Sequence, residues 1–376
     1  MTYRDGLKSE MKKKLLIDPD IRLAETMPSS FYLEDESFQQ SKERIFAKSW
    51  HWVGDDDILP HNQNVYPFTI MESFLDESCI VVKDAEGRLS VISNVCTHRG
   101  STILEASGRV QKLVCRYHGR RFKLNGQFEF MPEFQETLSF PRACDDLKRY
   151  ETIKWNQFIL TSLSPDFALQ TIFDKMEERI GFLPIDSFRF DFDSSKMHEV
   201  HAHWALYCDN YLEGFHIPFV HASLNEVLDY GSYETIVNDE IILQIGYAKN
   251  TEDSFELPKG HIDYGKDVAA FYYFIFPNLM LNFYPWGLSI NVVNPIRKDY
   301  TEVTFLTYIH DDKKFNLGAE DMTDKVEEED ELVVEAVQQG LKSRAYHKGR
   351  YSSTREQGVH HFHRLIAERM NGGGEI

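Results

Sequence analysis

Cys96-Thr97-His98-Arg99-Gly100 and, with sixteen residues between His98 and the next cysteine, Cys115-Arg116-Tyr117-His118-Gly119 are the segments from which this chain of 376 residues has to be read. Each carries one cysteine, one histidine and a closing glycine. The residues between them read as strands that bring two tight loop tips together. Thiolate and imidazole are both metal ligands, so two of each can bind zinc, or hold a [2Fe-2S] cluster with cysteines on one iron and histidines on the other. A zinc finger usually pairs Cys with Cys and His with His. One of each on both loops favours the cluster.

The bulk properties narrow what such a cluster could serve. Apolar content of 42% and 13% aromatics belong to a globular chain long enough for two or three domains. A net charge of −19 argues against binding nucleic acid or an anionic membrane through bulk electrostatics. No apolar run approaches the roughly 20 residues that span a bilayer. Lys12-Lys13-Lys14 is followed only by Leu15-Leu16-Ile17 before Asp18-Pro19-Asp20, too short for the core of a secretory signal. Beyond the two cysteines in the loops, Cys79, Cys144 and Cys208 form an odd remainder, which suits a reducing cytoplasm better than a disulfide framework.

Three regions follow from the pattern along the chain. Residues 1–45 are expected to form a helical segment packed on the last region. Residues 46–155 alternate in short strand-like runs: Tyr66-Pro67-Phe68-Thr69-Ile70, Cys79-Ile80-Val81-Val82-Lys83 and Leu89-Ser90-Val91-Ile92, with Asn125-Gly126 as a hairpin turn after the second cysteine–histidine pair. This is a small all-β module. Residues 156–376 combine a helix within 164–185, β-type runs at 240–248, 271–283, 287–294 and 302–310, and an acidic helix from about 319 to 341, an α+β arrangement with an antiparallel sheet and a long C-terminal helix.

The second informative segment is Asp209-Asn210-Tyr211-Leu212-Glu213-Gly214-Phe215-His216-Ile217-Pro218-Phe219-Val220-His221. Pro218 interrupts any continuous helix, but a helix that breaks into a turn can still aim His216 and His221 at one point. Two histidines and one carboxylate with open positions opposite suit a non-haem Fe(II) that activates O2. Such a pair alone is also common in a buried aromatic segment; an upstream electron-transfer cluster favours the iron. The third ligand is expected from the acidic helix. Val326, Asp330, Val333, Val337 and Leu341 fall on one stripe, which puts Asp330 on the inward face and Glu327, Glu328 and Glu331 further outward, with Glu329 as the remaining neighbour.

With these residues in place the chain resembles the α subunit of the Rieske non-haem iron oxygenases over nearly its whole length. The resemblance implies a [2Fe-2S] cluster with Cys96 and Cys115 on one iron and His98 and His118 on the other. It implies a mononuclear Fe(II) held by His216, His221 and Asp330, the last supported by the Asp330…Glu335 spacing. It also implies a helix-grip catalytic domain after an all-β Rieske domain, and a homotrimer in which Glu213 links one subunit's cluster histidine to the neighbour's iron ligand. The segments Asp209–Gly214, Phe276–Asn282 and Glu335–Gln338 with Gly358–His363 are similar to those of choline monooxygenase and other quaternary-ammonium oxygenases. Arg120 stands where the family commonly carries Trp, and Glu213 where ring dioxygenases carry Asp. No G-x-G-x-x-G follows a strand, so electrons from NAD(P)H are expected through a separate reductase or ferredoxin. The expected activity is O2-dependent hydroxylation or demethylation of a small ammonium or amine compound. Tyr207, Tyr211, Phe215, Tyr284 and Trp286 are candidate faces for its cation. An aromatic-ring dioxygenase and a pure electron carrier are the alternatives.

Overall fold

A computed structural model describes residues 14–316 and 319–372. The helical segment expected over residues 1–45 lies partly outside these; among the described residues the first helix is α1 (Ser29–Leu33), followed by α2 (Asp35–Arg44). Nine short strands come next: β1 (His51–Asp55), β2 (Val65–Ile70), β3 (Glu77–Lys83), β4 (Leu89–Ser93), β5 (Leu113–Val114), β6 (Arg121–Phe122), β7 (Phe128–Phe130), β8 (Arg149–Trp155) and β9 (Phe158–Ser162). Six of them form an antiparallel sheet in the order β1-β9-β8-β4-β3-β2, and β5-β6-β7 form a smaller one. The expected division after residue 155 falls inside the β8–β9 hairpin, because β9 also pairs with β1 and completes this sheet.

After α3 (Leu169–Ile180) the chain builds a seven-stranded sheet. Its members are β10 (Arg189–Val200), β11 (Glu234–Asn238), β12 (Ile241–Tyr247), β13 (Val268–Ile275), β14 (Leu279–Tyr284), β15 (Gly287–Arg297) and β16 (Tyr300–Ile309), in the order β10-β16-β15-β14-β13-β12-β11. The single run expected over 271–283 is two strands, β13 and β14, paired from Phe271↔Phe283 to Ile275↔Leu279. Phe276-Pro277-Asn278 makes the turn; both flanks are apolar, so hydropathy alone could not show it.

The inner strands of this sheet are apolar on both faces although the sheet is antiparallel, because both faces are covered. Ile241, Leu243, Ile245, Phe271, Tyr273 and Ile275 pack on one side with α3 residues such as Ile172, Phe173 and Met176. Ile242, Phe274, Met280 and Val293 point the other way. There they meet α4 (Trp204–Tyr211) and α9 (Gln357–Met370), with α5 (Ile217–Val220), α6 (Ala222–Val227), α7 (Asp312–Phe315) and α8 (Ala319–Gly340) between α4 and α9 in sequence. The N-terminal helices join the same core through Phe31, Tyr32 and Phe38.

The α8 register differs from the expected stripe. Among its described positions Glu327, Val334 and Gln338 are buried, as is Leu341 just past its end, whereas Val337 is 44% exposed. Glu327 therefore faces inward rather than outward. The reason lies in α4: the Tyr207 hydroxyl is 2.9 and 2.8 Å from the two Glu327 oxygens, and the His203 N–H, at the start of α4, donates to Gln338 at 3.0 Å. Polar side chains satisfied by partners elsewhere in the chain sit on the core face, and apolar periodicity does not register them. Asp330 lies at the edge of this stripe.

Candidate active site and cluster loops

The two cysteine–histidine pairs occupy matched loop tips. Gly100 N–H donates to the Cys96 carbonyl and Gly119 N–H to the Cys115 carbonyl, each at 3.0 Å. Cys96 N–H and Cys115 N–H in turn donate to Ser101 and Arg120 carbonyls at 2.9 Å. Both glycines adopt φ of +71°. A Cβ at Gly100 would meet nothing within 4 Å, so the left-handed backbone, not lack of space, calls for glycine.

Cys96 and Cys115 are each 2% exposed and part of the small module's apolar core, with Val65, Ile80, Ile103 and Phe122. The His98 amide points at the Cys96 sulfur, and the Tyr117 and His118 amides with the Ser101 side chain point at Cys115. Burial pushes the Cys96 thiol up; at Cys115 burial is outweighed by these donors, which hold it below the ordinary thiol value. The imidazoles of His98 and His118 stand 4.7 Å apart at 72°, and His118 is open to solvent. Thiols inside and imidazoles outside fit a [2Fe-2S] cluster whose two irons differ in ligand and in exposure.

The second constellation forms where α4 ends. Leu212 to His216 make the break, Pro218 sits in the first turn of α5, and His221 follows that helix immediately. His216 and His221 are thereby turned toward α8. The Nε2 atoms of His216 and His221 lie 3.5 and 3.0 Å from the same oxygen, Asp330 Oδ1. Two donor atoms about 2.1 Å from one metal and at right angles stand about 3 Å apart, so the three side chains fit a single ion. The other ring nitrogens are taken: His216 Nδ1 is 2.7 Å from Glu213 Oε1 and His221 Nδ1 is 2.8 Å from Glu329 Oε2. Carboxylates on Nδ1 set the tautomer that leaves Nε2 as the ligand atom. Glu329 thus touches His221 at Nδ1, and Asp330 is the carboxylate that faces both Nε2 atoms.

Asn210 Nδ2 donates to Asp330 Oδ1 at 2.6 Å and holds it in place. Burial would lower the His221 pKa, but Asp330 and Glu329 outweigh it and raise it; the same negative field favours a cation. Glu327, one turn before Asp330, has its pKa raised well above the ordinary carboxylate value, first by burial and then by the Asp330 charge.

A cavity of about 330 Å³ opens onto these residues. Tyr207, Tyr211, Tyr284 and Trp286 line it, as expected, but Phe215 is 41% exposed and does not. Tyr233 and Tyr272 line it without having been singled out. Also missed was a row across the sheet floor, Gln244↔Tyr272↔Asn282↔Ser289, whose polar members are buried and aligned by strand register. The one signal available was polar residues at alternate positions inside otherwise apolar strands. Asn282 Oδ1 accepts from the Tyr211 hydroxyl at 2.6 Å, so this row also orients an aromatic wall.

Residues 49–149 match the Rieske [2Fe-2S] domain, and residues 189–372 match the ring hydroxylating alpha subunit (catalytic domain). The chain is similar to the chloroplastic choline monooxygenase of Beta vulgaris, at 31% identity over 94% of this chain and 79% of that protein. It is similar to the carnitine monooxygenase oxygenase subunit of Escherichia coli (strain K12), at 27% identity over 91% and 93%. A solved quaternary ammonium Rieske monooxygenase shares the fold, with a TM-score of 0.74 at 22% identity over 95% of this chain and 100% of that one. Naphthalene 1,2-dioxygenase shares it too, at 0.71 and 17% over 94% of both. Among the described residues no helix is long and apolar enough to cross a membrane.

Proposed function

This chain belongs to the Rieske non-haem iron oxygenases, and from that premise we propose that it hydroxylates or demethylates a small quaternary ammonium or amine compound. As a member it is an enzyme that depends on a [2Fe-2S] cluster, a mononuclear iron and electrons delivered by a separate reductase. The observation that carries the substrate class is the wall of the cavity beside His216, His221 and Asp330. Tyr284 and Trp286 stack at 5.0 Å and 10°, Tyr272 meets Tyr284 edge-on at 5.8 Å, and the exposed Glu252 and Asp253 also line the cavity. Aromatic faces and carboxylates together attract an ammonium group that cannot donate a hydrogen bond. The relatives named for choline and carnitine agree with this chemistry.

Cys96, His98, Cys115 and His118 are the residues that hold the cluster in this reading, and His216, His221 and Asp330 hold the iron. When bound, these groups supply single-electron transfer and O2 activation. The chain's own residues do the rest. Asn210 and Glu329 orient the ligands. Tyr211, fixed by Asn282, and the stacked Tyr284–Trp286 pair confine the substrate beside the ligands. Glu213 lies between the two centres of adjacent subunits in a homotrimer. Its Oε1 faces His216 Nδ1, its Oε2 accepts the His216 amide at 3.1 Å, and a carboxylate has further lone pairs for an imidazole of a neighbour. Phe219, 80% exposed on α5, and Tyr117, 63% exposed beside His118, are apolar surfaces that such an assembly would cover. The buried free thiols of Cys79 and Cys208 suit a reducing cytoplasm.

The test is O2 uptake by the reconstituted enzyme with a generic reductase in the presence of choline, betaines, carnitine or simple aromatics. Stimulation by an ammonium compound, with one oxygen atom incorporated per turnover, is the expected result. Coupled uptake with aromatics alone, yielding dihydrodiols, would replace this reading with ring dihydroxylation.

A further inference from the structure

The cluster loops contain a charged residue that neither ligand binding nor electron exit accounts for. Arg120 follows the second loop directly and is 2% exposed, among the largest fully buried side chains of the protein. Its guanidinium sits among three aromatic rings, with Phe128, Phe140 and Phe122 at 4.9, 5.4 and 5.6 Å from centre to centroid. Nη2 donates to Asp145 Oδ1 at 2.8 Å and to the Asp145 carbonyl at 3.0 Å, while Nε is buried with no partner. An arginine with an unsatisfied Nε in an apolar pocket is costly, and a neutral residue would avoid that cost.

Its position explains what the charge can reach. The Arg120 carbonyl takes the Cys115 N–H, so the residue is tied to one ligand loop. Asp145 ties it to the other, since the Asp145 carbonyl also accepts from Thr97 Oγ1 at 2.8 Å, and Thr97 lies between Cys96 and His98. Asp145 is itself fixed, its Oδ2 accepting the Arg142 N–H at 2.7 Å.

We propose that Arg120 is a positioning residue for electron transfer: a permanent, low-dielectric positive charge that raises the reduction potential of the cluster bound by Cys96, His98, Cys115 and His118. Reduction adds one negative charge to the cluster, and a fixed cation behind the loops stabilises that state over the oxidised one. Asp145 does two things at once, holding the guanidinium in place and partly offsetting it. The proposal rests on the four-ligand cluster, and the test measures that cluster separately.

The experiment is a midpoint titration of the purified holoenzyme, with iron and acid-labile sulfide determined on the same samples. Arg120→Met removes the charge and keeps most of the volume; at a fixed ambient potential its ratio of reduced to oxidised cluster should fall at least tenfold, which is 59 mV for one electron. Arg120→Lys should stay within threefold of the parent. A parent-like ratio in Arg120→Met, or an equal fall in Arg120→Lys, would overturn the proposal, the second outcome pointing to packing instead of charge. Should Arg120→Met not assemble the cluster, Asp145→Asn decides: with the counter-charge gone the ratio should rise, and no rise would refute the role. Parent protein lacking cluster iron and sulfide would instead overturn the cluster reading itself.

Discussion

Glu213 and Asp330 are both carboxylates at the mononuclear site, yet they touch different atoms of its histidines, and their replacements should separate accordingly. Glu213 meets His216 at Nδ1, behind the ligand atom. Glu213→Gln is expected to keep both metal contents and to lower coupled product formation about 10–100-fold. Parent-rate turnover would remove Glu213 from the electron path. Asp330 meets both histidines at Nε2. Asp330→Ala should lose the mononuclear iron while the visible spectrum of the cluster persists. Glu329→Gln should weaken iron retention only about tenfold, since Glu329 acts on His221 from behind. If iron analysis showed the order reversed, Glu329 would be the ligand. His216 and His221 stood out in the sequence because ligand chemistry confines the choice to a few residue types at short spacing, whereas Asp330, 109 residues beyond His221, was expected from the register of the acidic helix and from the resemblance. Tyr233 and Gln244 were not legible, because lining a cavity requires only that a side chain be near it in space.

Between elements, α9 approaches the chain closely at Leu212, where the turn that carries Glu213 and His216 begins. Gly358 sits near the start of α9, and a Cβ there would lie 2.3 Å from the Leu212 carbonyl oxygen, immediately before Glu213. Backbone cannot yield as a flexible side chain does, so Gly358→Ala should push α9 away. The expected cost is about 1–3 kcal/mol, read as a lower urea midpoint, together with reduced iron retention. An unchanged midpoint would show that α9 does not hold the turn. Element types and approximate spans followed from hydropathic period: the acidic helix expected at 319–341 is α8, and the run at 302–310 is β16. The α8 register did not follow, because Glu327 and Gln338 face inward through hydrogen bonds to the α4 segment.

Across the whole molecule, stability should depend on pH through buried histidines that are not among the expected metal ligands. His51 is 4% exposed and its pKa is lowered to about 4 by burial, only partly offset by its hydrogen bond to the Phe46 carbonyl. His203, fully buried against Phe31, Tyr32 and Phe38, is lowered to about 3 by burial alone. Both are neutral in the fold and titrate near 6.5 when unfolded. The unfolded chain therefore binds more protons below pH 6.5, and stability is lost as pH falls from there toward 4. His51 alone corresponds to roughly 3 kcal/mol over that window. Melting temperature measured from pH 7.5 to 4.5 should fall, and His203→Asn, which keeps an acceptor for the Ala205 N–H, should flatten the slope. A slope unchanged by that substitution would place the acid sensitivity elsewhere.

What the sequence determined by itself is chemistry that short range enforces. Matched Cys-x-His and Cys-x2-His loops closed by left-handed glycines, a helix that must stop before Pro218, and alternating strands between turn residues all depend on neighbours within a few positions. The tertiary structure alone decided which polar groups face inward, how a floor of Gln244, Asn282 and Ser289 is assembled from three strands, and that Arg120 is buried against Asp145 and three rings. Those features depend on partners brought together across tens of residues. Burial, which sets the cost of a charge and the reach of its field, is a property of the packed molecule and not of any segment.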